Sequence, residues 1–426
     1  MTGTMLAHKP DGWDIAKLGQ YFEQRNDKVN DEEYPPLSVT YDGVVPQMEH
    51  VAKSEDRDNR KKVCQGDLVI NSRSDRRGAS GLSDYDGSVS LINIVLKPRL
   101  GCPRFFHYLM RSIAFQEEYY RYGHGIVADL WTTRYTELKN ICVAVPDWET
   151  QQRIANFLDR FSSLIDSLID KKLRQIALIK DEENACVAGH MSDGGRRSFR
   201  KTDLPWIPEI PDDWKLRRAK YLFRCLSRPP LDDDKIVTAF RDGQVTLREN
   251  RRLTGYTLAV KEVGYQHINQ GDLVIHTMDA FAGAIGVSDS DGKATGEYAV
   301  CEPIAAGINN HFFAQILRYM AAQNYIYVLC PSVRERAPRF RFSKLAPVML
   351  PVPTKDEQDR IALVIERSRA LRNRLQRSIF LLKEHRSSLI TKAVTGEIEV
   401  ASEHWGDAER SMKRIEGKLC RREATA

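Results

Sequence analysis

Gln65-Gly66-Asp67-Leu68-Val69-Ile70 recurs letter for letter as Gln270–Ile275, 205 positions later. A short apolar run entered through Gly-Asp suits a buried strand. The Ser/Asp/Gly cluster that follows is turn chemistry. That cluster repeats too: Ser83–Gly87 reads SDYDG and Ser288–Gly292 reads SDSDG. Working outward, Pro10–Trp13 (PDGW) matches Pro211–Trp214 (PDDW), Phe22 matches Phe223, and Pro98 matches Pro303. Phe105–Phe106 match Phe312–Phe313, Arg111 matches Arg318, and Val145–Ala155 (VPDWETQQRIA) match Val352–Ala362 (VPTKDEQDRIA). Landmarks kept in one order at nearly one offset mark an internal duplication.

Each copy has two parts. The first is mixed: strands around the hexapeptide, a helix over Phe105–Tyr120 or Phe312–Tyr327, and a closing strand in VAVP or MLPVP. The second is a long helix. Ile154, Leu158, Phe161, Ile165, Leu168 and Ile179 fall on a 3-4 spacing, as do Ile361, Val364, Leu371, Leu375 and Leu382. Neither Gly nor Pro occurs from Gln151 to Val187 or from Lys355 to Val394. Such spacing without breakers predicts a coiled-coil seam. More than 30 residues make a rod of ~50 Å, longer than a small domain is wide, so each helix needs a partner and the other copy's helix is the obvious one. Residues 189–211, rich in Gly, Pro and charge, read as a linker, and 401–426 as a charged tail.

With 426 residues, 42% hydrophobic and 29% charged, the chain has the size and composition of a globular protein of two or three domains. No run reaches the ~20 apolar residues that span a bilayer, and the N-terminus lacks a secretory apolar core. A cytoplasmic location and no membrane partner are expected. The eight cysteines stand singly without CxxC pairs, which argues for reduced thiols and against zinc. A net charge of +6 permits nucleic acid without requiring it.

Catalytic motifs fail on inspection. Asp212 with Asp233 and Lys235 imitates the PD…(D/E)xK pattern that holds Mg²⁺ in nucleases, but Pro10–Asp11 in the first copy has no such companion, so the shared dipeptide is structural. Gly286–Thr295 (GVSDSDGKAT) is one residue too long for a phosphate-binding loop and has Ala294 where Ser or Thr should stand. Tyr34–Leu37 (YPPL) lacks the flanking residues of an amino-methyltransferase motif, and no Gly-rich dinucleotide fingerprint appears. No catalytic residue, no metal ligand and no cofactor is assigned to this chain.

The useful polar residues lie where the copies stop agreeing. After the hexapeptide the first copy reads NSRSDRRGASG, with Ser72, Arg73, Arg76 and Arg77; the second reads HTMDAFAGAIG, with His276 and Thr277. Further on, the first copy offers Arg121, His124, Trp131, Thr132, Thr133 and Arg134. The second offers Arg334, Arg336, Arg339 and Arg341, interleaved with Phe340 and Phe342. Arginine forks match phosphate oxygens and guanine edges. A shared frame carrying different loops is how one domain type presents two recognition surfaces.

The whole order resembles the specificity subunit (HsdS) of type I restriction-modification enzymes: Gly-Asp-Leu-Val-Ile, a glycine loop, SDxDG, a Phe-rich helix, then a Pro strand running into EQxRIA and a long helix. LPWIPEIPDDWKLRRAKYLF (from Leu204) and the helix ending LLKEHRSSLITKAVTGEIEV are similar to that family's second-domain opening and C-terminal signature. Thr150 departs from the pattern where Glu357 keeps it. The resemblance implies an α+β chain with two tandem mixed α/β target-recognition domains, 1–147 and 212–353. Each would be followed by a conserved helix, 148–188 and 354–400, the two pairing as an antiparallel coiled-coil spacer with pseudo-two-fold symmetry. It further implies binding of a bipartite double-stranded DNA target, with two methyltransferase (modification) subunits and restriction/translocase subunits as partners. AdoMet, ATP and Mg²⁺ would sit on those partners. Two alternatives remain: a self-contained Mg²⁺-dependent nuclease using Asp212, Asp233 and Lys235, and a duplicated protein-binding scaffold.

Overall fold

The structure is a computed structural model that describes residues 9–41, 43–47, 59–73, 78–125, 131–190, 198–251, 264–304, 306–330 and 339–400, with backbone alone at 184–190. The expected tail, 401–426, lies outside the described residues. The chain divides into two compact units: one runs to Leu173 and resumes at Gln376, and the other is Arg174–Leu375. Both long helices are thus shared between units, so the division does not fall at the ends of the expected domains.

In the first unit the strands are β1 (Asp14–Lys17), β2 (Phe22–Arg25), β3 (Lys28–Val29), β4 (Leu37–Thr40), β5 (Gly43–Pro46) and β6 (Arg60–Val63). They continue with β7 (Leu68–Asn71), β8 (Ser80–Leu82), β9 (Gly87–Val89) and β10 (Asn93–Pro98). Helices α1 (Pro103–Arg111), α2 (Ile113–Arg121) and α3 (Tyr135–Leu138) precede β11 (Cys142–Val145) and the long α4 (Trp148–His190). The second unit opens with β12 (Phe199–Lys201), β13 (Glu209–Pro211), β14 (Lys215–Arg218), β15 (Phe223–Leu226), β16 (Val237–Ala239) and β17 (Val245–Leu247). Then come β18 (Gln266–Ile268), β19 (Leu273–His276), β20 (Ile285–Val287), β21 (Gly292–Ala294) and β22 (Tyr298–Pro303). It closes with α5 (Asn310–Ala322), α6 (Tyr325–Leu329), α7 (Phe342–Leu345), β23 (Met349–Val352) and the long α8 (Lys355–Val394).

The duplication is carried into the topology. One four-stranded sheet has the order β2-β10-β7-β8 and the other β15-β22-β19-β20, while β1 pairs with β11 as β14 pairs with β23. The repeated hexapeptide supplies an inner strand of each sheet. Alternate side chains of a strand leave by opposite faces, and here both faces are covered. Leu68 and Ile70 join the core beneath α1 and α2, whereas Val69 enters a second core with Leu37, Val63 and Val89. Leu273 and Ile275 likewise pack with Phe312 and Phe313, and Val274 with Val237 and Ile268. A strand buried on both faces must be apolar at every position, which is why the motif reads Leu-Val-Ile.

The polar half of the motif is the turn that enters that strand. Asp67 is buried; its carboxylate accepts from Arg25 Nε at 2.8 Å and from Cys64 N at 2.8 Å. In the second unit Asp272 takes both Arg228 and Asn269 N. Gly66 and Gly271 sit at φ +88° and +91°, where a Cβ is strained. Their N–H groups donate to Ser83 O and Ser288 O. Gln65 N and Gln270 N donate to Asp86 and Asp291, the last aspartates of the two SDxDG turns. The two repeated motifs are therefore one hydrogen-bonded device.

Several expected elements differ in extent. Each Phe-rich helix is two helices. In the first unit Ser112, extended at ψ 147°, ends α1 and caps α2 through Phe115 N. In the second, Asn324 in the left-handed region separates α5 from α6. Part of the stretch read as a linker is folded: β12 and β13 form a hairpin, and Trp206, Ile207 and Ile210 are buried against Trp214 and Phe223. Gln151 and Gln358, one in each copy of the sequence running into the long helix, make matching bonds. Gln151 accepts from Cys102 N and donates to Pro146 O; Gln358 accepts from Asn309 N and donates to Pro353 O.

The long helices meet within each unit. In the first, Phe161, Ile165 and Ile169 of α4 cluster with Leu382 of α8, Phe161 and His385 rings lie edge to face, and Asp166 pairs with Arg386. There too, Ile390, Ala393 and Val394 of α8 complete the core of the mixed part. In the second unit buried Glu183 of α4 faces Arg372 of α8 at 3.1 Å. Burial holds the Glu183 carboxyl above its ordinary range despite Arg372, Arg318 and Arg369. The α8 seam departs from expectation: Ile361, Ile365, Arg372 and Leu382 are inward, while Val364 and Leu371 are 42% and 47% exposed. Ile361 and Ile365 pack into the core of the mixed part, and beside exposed Leu371 it is Arg372 that turns inward, to Glu183. Among the described residues no helix is long and apolar enough to cross a membrane.

Removing the motif carboxylate should unfold its unit first. Asp67→Ala leaves partly buried Arg25 with only the exposed Asp27, at 3.4 Å, and is expected to lower stability by about 3 kcal/mol. Urea denaturation followed by tryptophan fluorescence checks this, an unchanged midpoint being the contrary result.

Candidate nucleic-acid interface

The two divergent stretches of each copy come together at the C-terminal end of the repeated strand. In the first unit Ser72 follows β7, and Thr133 N donates to Ser72 O at 3.0 Å. In the second, Thr277 follows β19, and Phe340 N donates to Thr277 O at 2.9 Å. Ser72 N and Thr277 N reach Ile92 O and Glu297 O, again at equivalent positions. One backbone clamp thus gathers both variable loops in each copy.

In the first unit the clamp gathers most of the expected residues. His124 and Thr132 exchange both backbone bonds at 3.0 Å, and Arg73 bridges to Thr132. Trp131 stacks on Tyr120 at 5.5 Å and donates its indole N–H to Tyr120 O. Gly123 is needed beneath it, since a Cβ there would run into the indole. Arg73, Arg121, His124 and Arg134 face solvent. Arg121 pairs with Glu118 at 2.9 Å, and Arg134 opens α3, its N–H held by Glu137. Ser72 and Thr133 are buried, and the Thr133 hydroxyl donates to Tyr119 O. These two shape the loops from within. Arg76 and Arg77 lie outside the described residues.

In the second unit Thr277 is also buried and donates to Glu297, whose other oxygen meets Arg339 at 3.3 Å. His276 packs on Tyr298 with ring centroids 4.6 Å apart and lies 3.2 Å from Asp279. Burial lowers its imidazole below the ordinary value, against Asp279. Arg339 and Arg341 are exposed, but Phe340 is wholly buried and Phe342 packs beside the same core. The alternation expected of an aromatic-interleaved surface is an anchor: the phenylalanines hold the loop and the arginines are turned out. Arg334 and Arg336 lie outside the described residues. Sequence reasoning also left out Arg251, which lies over the Phe240 ring at 4.2 Å and pairs with Asp242 at 2.8 Å. The Arg-Asp-Gly turn at 241–243 was its only visible signal.

The nuclease triad gains no geometry. Lys235 is paired with Glu249 at 2.8 Å, and among the described residues no group of three His, Cys, Asp or Glu side chains could hold a metal ion.

A sheet framed by a buried Asp–Arg turn, written twice and followed each time by a long helix, defines a class of chain. No protein-family model matches it. A chain from a solved structure described as the assembly and conformational transition of a type I R-M system covers 92% of this chain and all of its own length at TM-score 0.58 and 15% identity. That likeness shows the fold. The HsdS subunit from Thermoanaerobacter tengcongensis covers 93% at TM-score 0.43 and 16% identity. A type I S subunit from M. genitalium covers 92% at TM-score 0.47 and 13% identity. A curated homologue from Methanocaldococcus jannaschii, named as a type I restriction enzyme MjaX specificity subunit, is 22% identical over 258 residues, 53% of this chain. The match spans 57% of that relative's length. The resemblance to a type I specificity subunit thus holds in sequence over about half of the chain, and the fold is shared with a chain of a type I R-M system.

The anchor and the exposed cations separate by mutation. Phe340→Ala should cost about 3–5 kcal/mol as a core truncation, and Arg341→Ala less than about 0.5 kcal/mol. Thermal unfolding of the two variants reads the difference.

Proposed function

We propose that this chain is the non-catalytic DNA-reading subunit of a type I restriction-modification complex, each unit reading one half of a bipartite, asymmetric duplex target. The observation that carries the reading is the clamp at the end of the repeated strand, built from the same bonds in both units and holding different loops. Exposed Arg73, Arg121, Arg134, Arg339 and Arg341 would take phosphates or guanine edges. His124 and Trp131 would lie against the duplex. In the free chain Arg121 and Arg339 rest on Glu118 and Glu297, so DNA must displace those carboxylates.

The long helices would act as an antiparallel coiled-coil spacer, a reading supported by the α4–α8 contacts within each unit. A ~50 Å rod can hold two readers about 34–36 Å apart, one turn of B-DNA. In the second unit α8 turns Arg360, Val364, Arg367, Leu371 and Arg374 outward on one stripe. A mixed apolar and basic stripe of this kind suits docking of the methyltransferase and restriction subunits, which would bring AdoMet, ATP and Mg²⁺. A cytoplasmic location follows from that role.

Exchanging segment 215–350 for that of another specificity subunit should change one half of the target in a binding assay with the methyltransferase partner. Change in both halves or in neither overturns the modular reading. In the same complex, Arg73→Ala and Arg341→Ala should each lower the slope of log affinity against log salt by about 1. Removing one matched heptad from α4 and α8 should shorten the tolerated gap and leave the bases read unaltered; an unchanged gap counts against the spacer.

A further inference from the structure

Two cysteines without counterparts in the first copy face one another in the sheet of the second unit. Cys225 on the edge strand β15 is directly opposite Cys301 on β22. The equivalent pair in the first unit is Gln24 opposite Leu96, so the thiols are not part of the shared frame. In an antiparallel pair, hydrogen-bonded and non-hydrogen-bonded positions alternate. Ile304 N donates to Leu222 O at 2.8 Å, which makes 222/304 a bonded position, 224/302 the next, and 225/301 a non-bonded one. That is the site type where the strands approach to about 4.5 Å between Cα atoms and opposed side chains are closest, inside the span of roughly 4.4–6.8 Å that a disulfide requires. Both cysteines are free thiols, Cys225 exposed and Cys301 buried.

We propose that Cys225 and Cys301 form a thiol modification site that hydroperoxides oxidise to an intrachain disulfide, with Cys225 the attacking and Cys301 the resolving sulfur. The Cys225 thiolate attacks a peroxide oxygen, the O–O bond breaks, and the leaving oxygen departs as hydroxide or alkoxide, to be protonated. Cys225 is then a sulfenic acid. Cys301 attacks that sulfur as its own proton is lost, the S–O bond breaks, and the hydroxyl leaves as water. Two thiols lose two protons and two electrons, and one hydroperoxide is reduced. The division of labour follows the surroundings. Hydrogen bonding from Cys301 draws the Cys225 thiol down to about 7, while donating that bond, together with burial, drives the Cys301 thiol well up. Of the two, Cys225 is the one that is exposed and drawn toward ionisation near neutrality. Half-buried Cys142 is opposite Lys17 and serves as an internal control.

The full chain treated with hydrogen peroxide, alkylated and digested without reductant should yield a Cys225–Cys301 linked peptide pair lighter by two hydrogens, with Cys142 unlinked. Cys301→Ser should halt at a dimedone-reactive Cys225 sulfenic acid. Cys225→Ser should leave Cys301 unoxidised and unlabelled in the folded chain. Alkylation of Cys225 should rise to half its maximal rate near pH 7. A Cys225 that goes to sulfinic acid with Cys301 present, or that reacts no faster than Cys142, overturns the proposal. DNA binding enters none of these readouts, so their failure leaves the proposed function standing.

Discussion

Everything that distinguishes this fold rests on a carboxylate that cannot be in water. Asp67 and Asp272 are almost fully buried at the mouths of the central strands. Each is held there by one backbone N–H and by one arginine from the far side of the intervening strand, Arg25 on β2 or Arg228 just past β15. A buried carboxylate is tolerated only when paired and hydrogen-bonded, and these pairs raise the Arg25 and Arg228 guanidinium pKa values through the same bonds. The arrangement fixes the register at the strand's entrance. With the entrance fixed, Leu, Val and Ile fall alternately to the two cores, and the residue after the strand lands where the clamp requires it.

That dependence explains what could be read directly from the letters. A motif whose every residue has a bond or a core to satisfy tolerates little change, so QGDLVI and SDxDG survive in both copies and announce the duplication. The arginine partners were invisible. Arg25 and Arg228 are 42 and 44 positions from their aspartates and stand in stretches that otherwise diverge, FEQRND and FRCLSR. Gln151 and Gln358 were legible as letters of a repeated motif but not as the bolts joining the long helix to the segment before α1 or α5.

Apolar spacing was informative about helices and misleading about faces. Val364 and Leu371 satisfy a seam pattern as well as Ile361 and Ile365 do, because α8 carries two apolar stripes. Burial tells them apart: Ile361 and Ile365 enter the core of the second unit's mixed part, and further along it is Arg372 that turns in, to meet Glu183 of α4. Composition misled in the same way between the copies. Gly, Pro and charge at 189–211 read as linker, yet three apolar residues within it, Trp206, Ile207 and Ile210, are enough to seat a hairpin on the second core.

The candidate interface was half legible for a physical reason. Sequence identifies where two copies diverge, and the divergence does fall at one place in each unit. It cannot separate the residues that build a loop from those that the loop presents, since both vary with it. Ser72, Thr133, Thr277 and Phe340 belong to the first kind, each buried or bonded to backbone at the clamp. Arg73, Arg134, Arg339 and Arg341 belong to the second. A loop with a new sequence needs new internal anchors, so the frame must offer a place that accepts Thr133 in one copy and Phe340 in the other. The backbone bond to Ser72 or Thr277 is that place. It asks nothing of the side chain, and so leaves the surface beyond it free to differ.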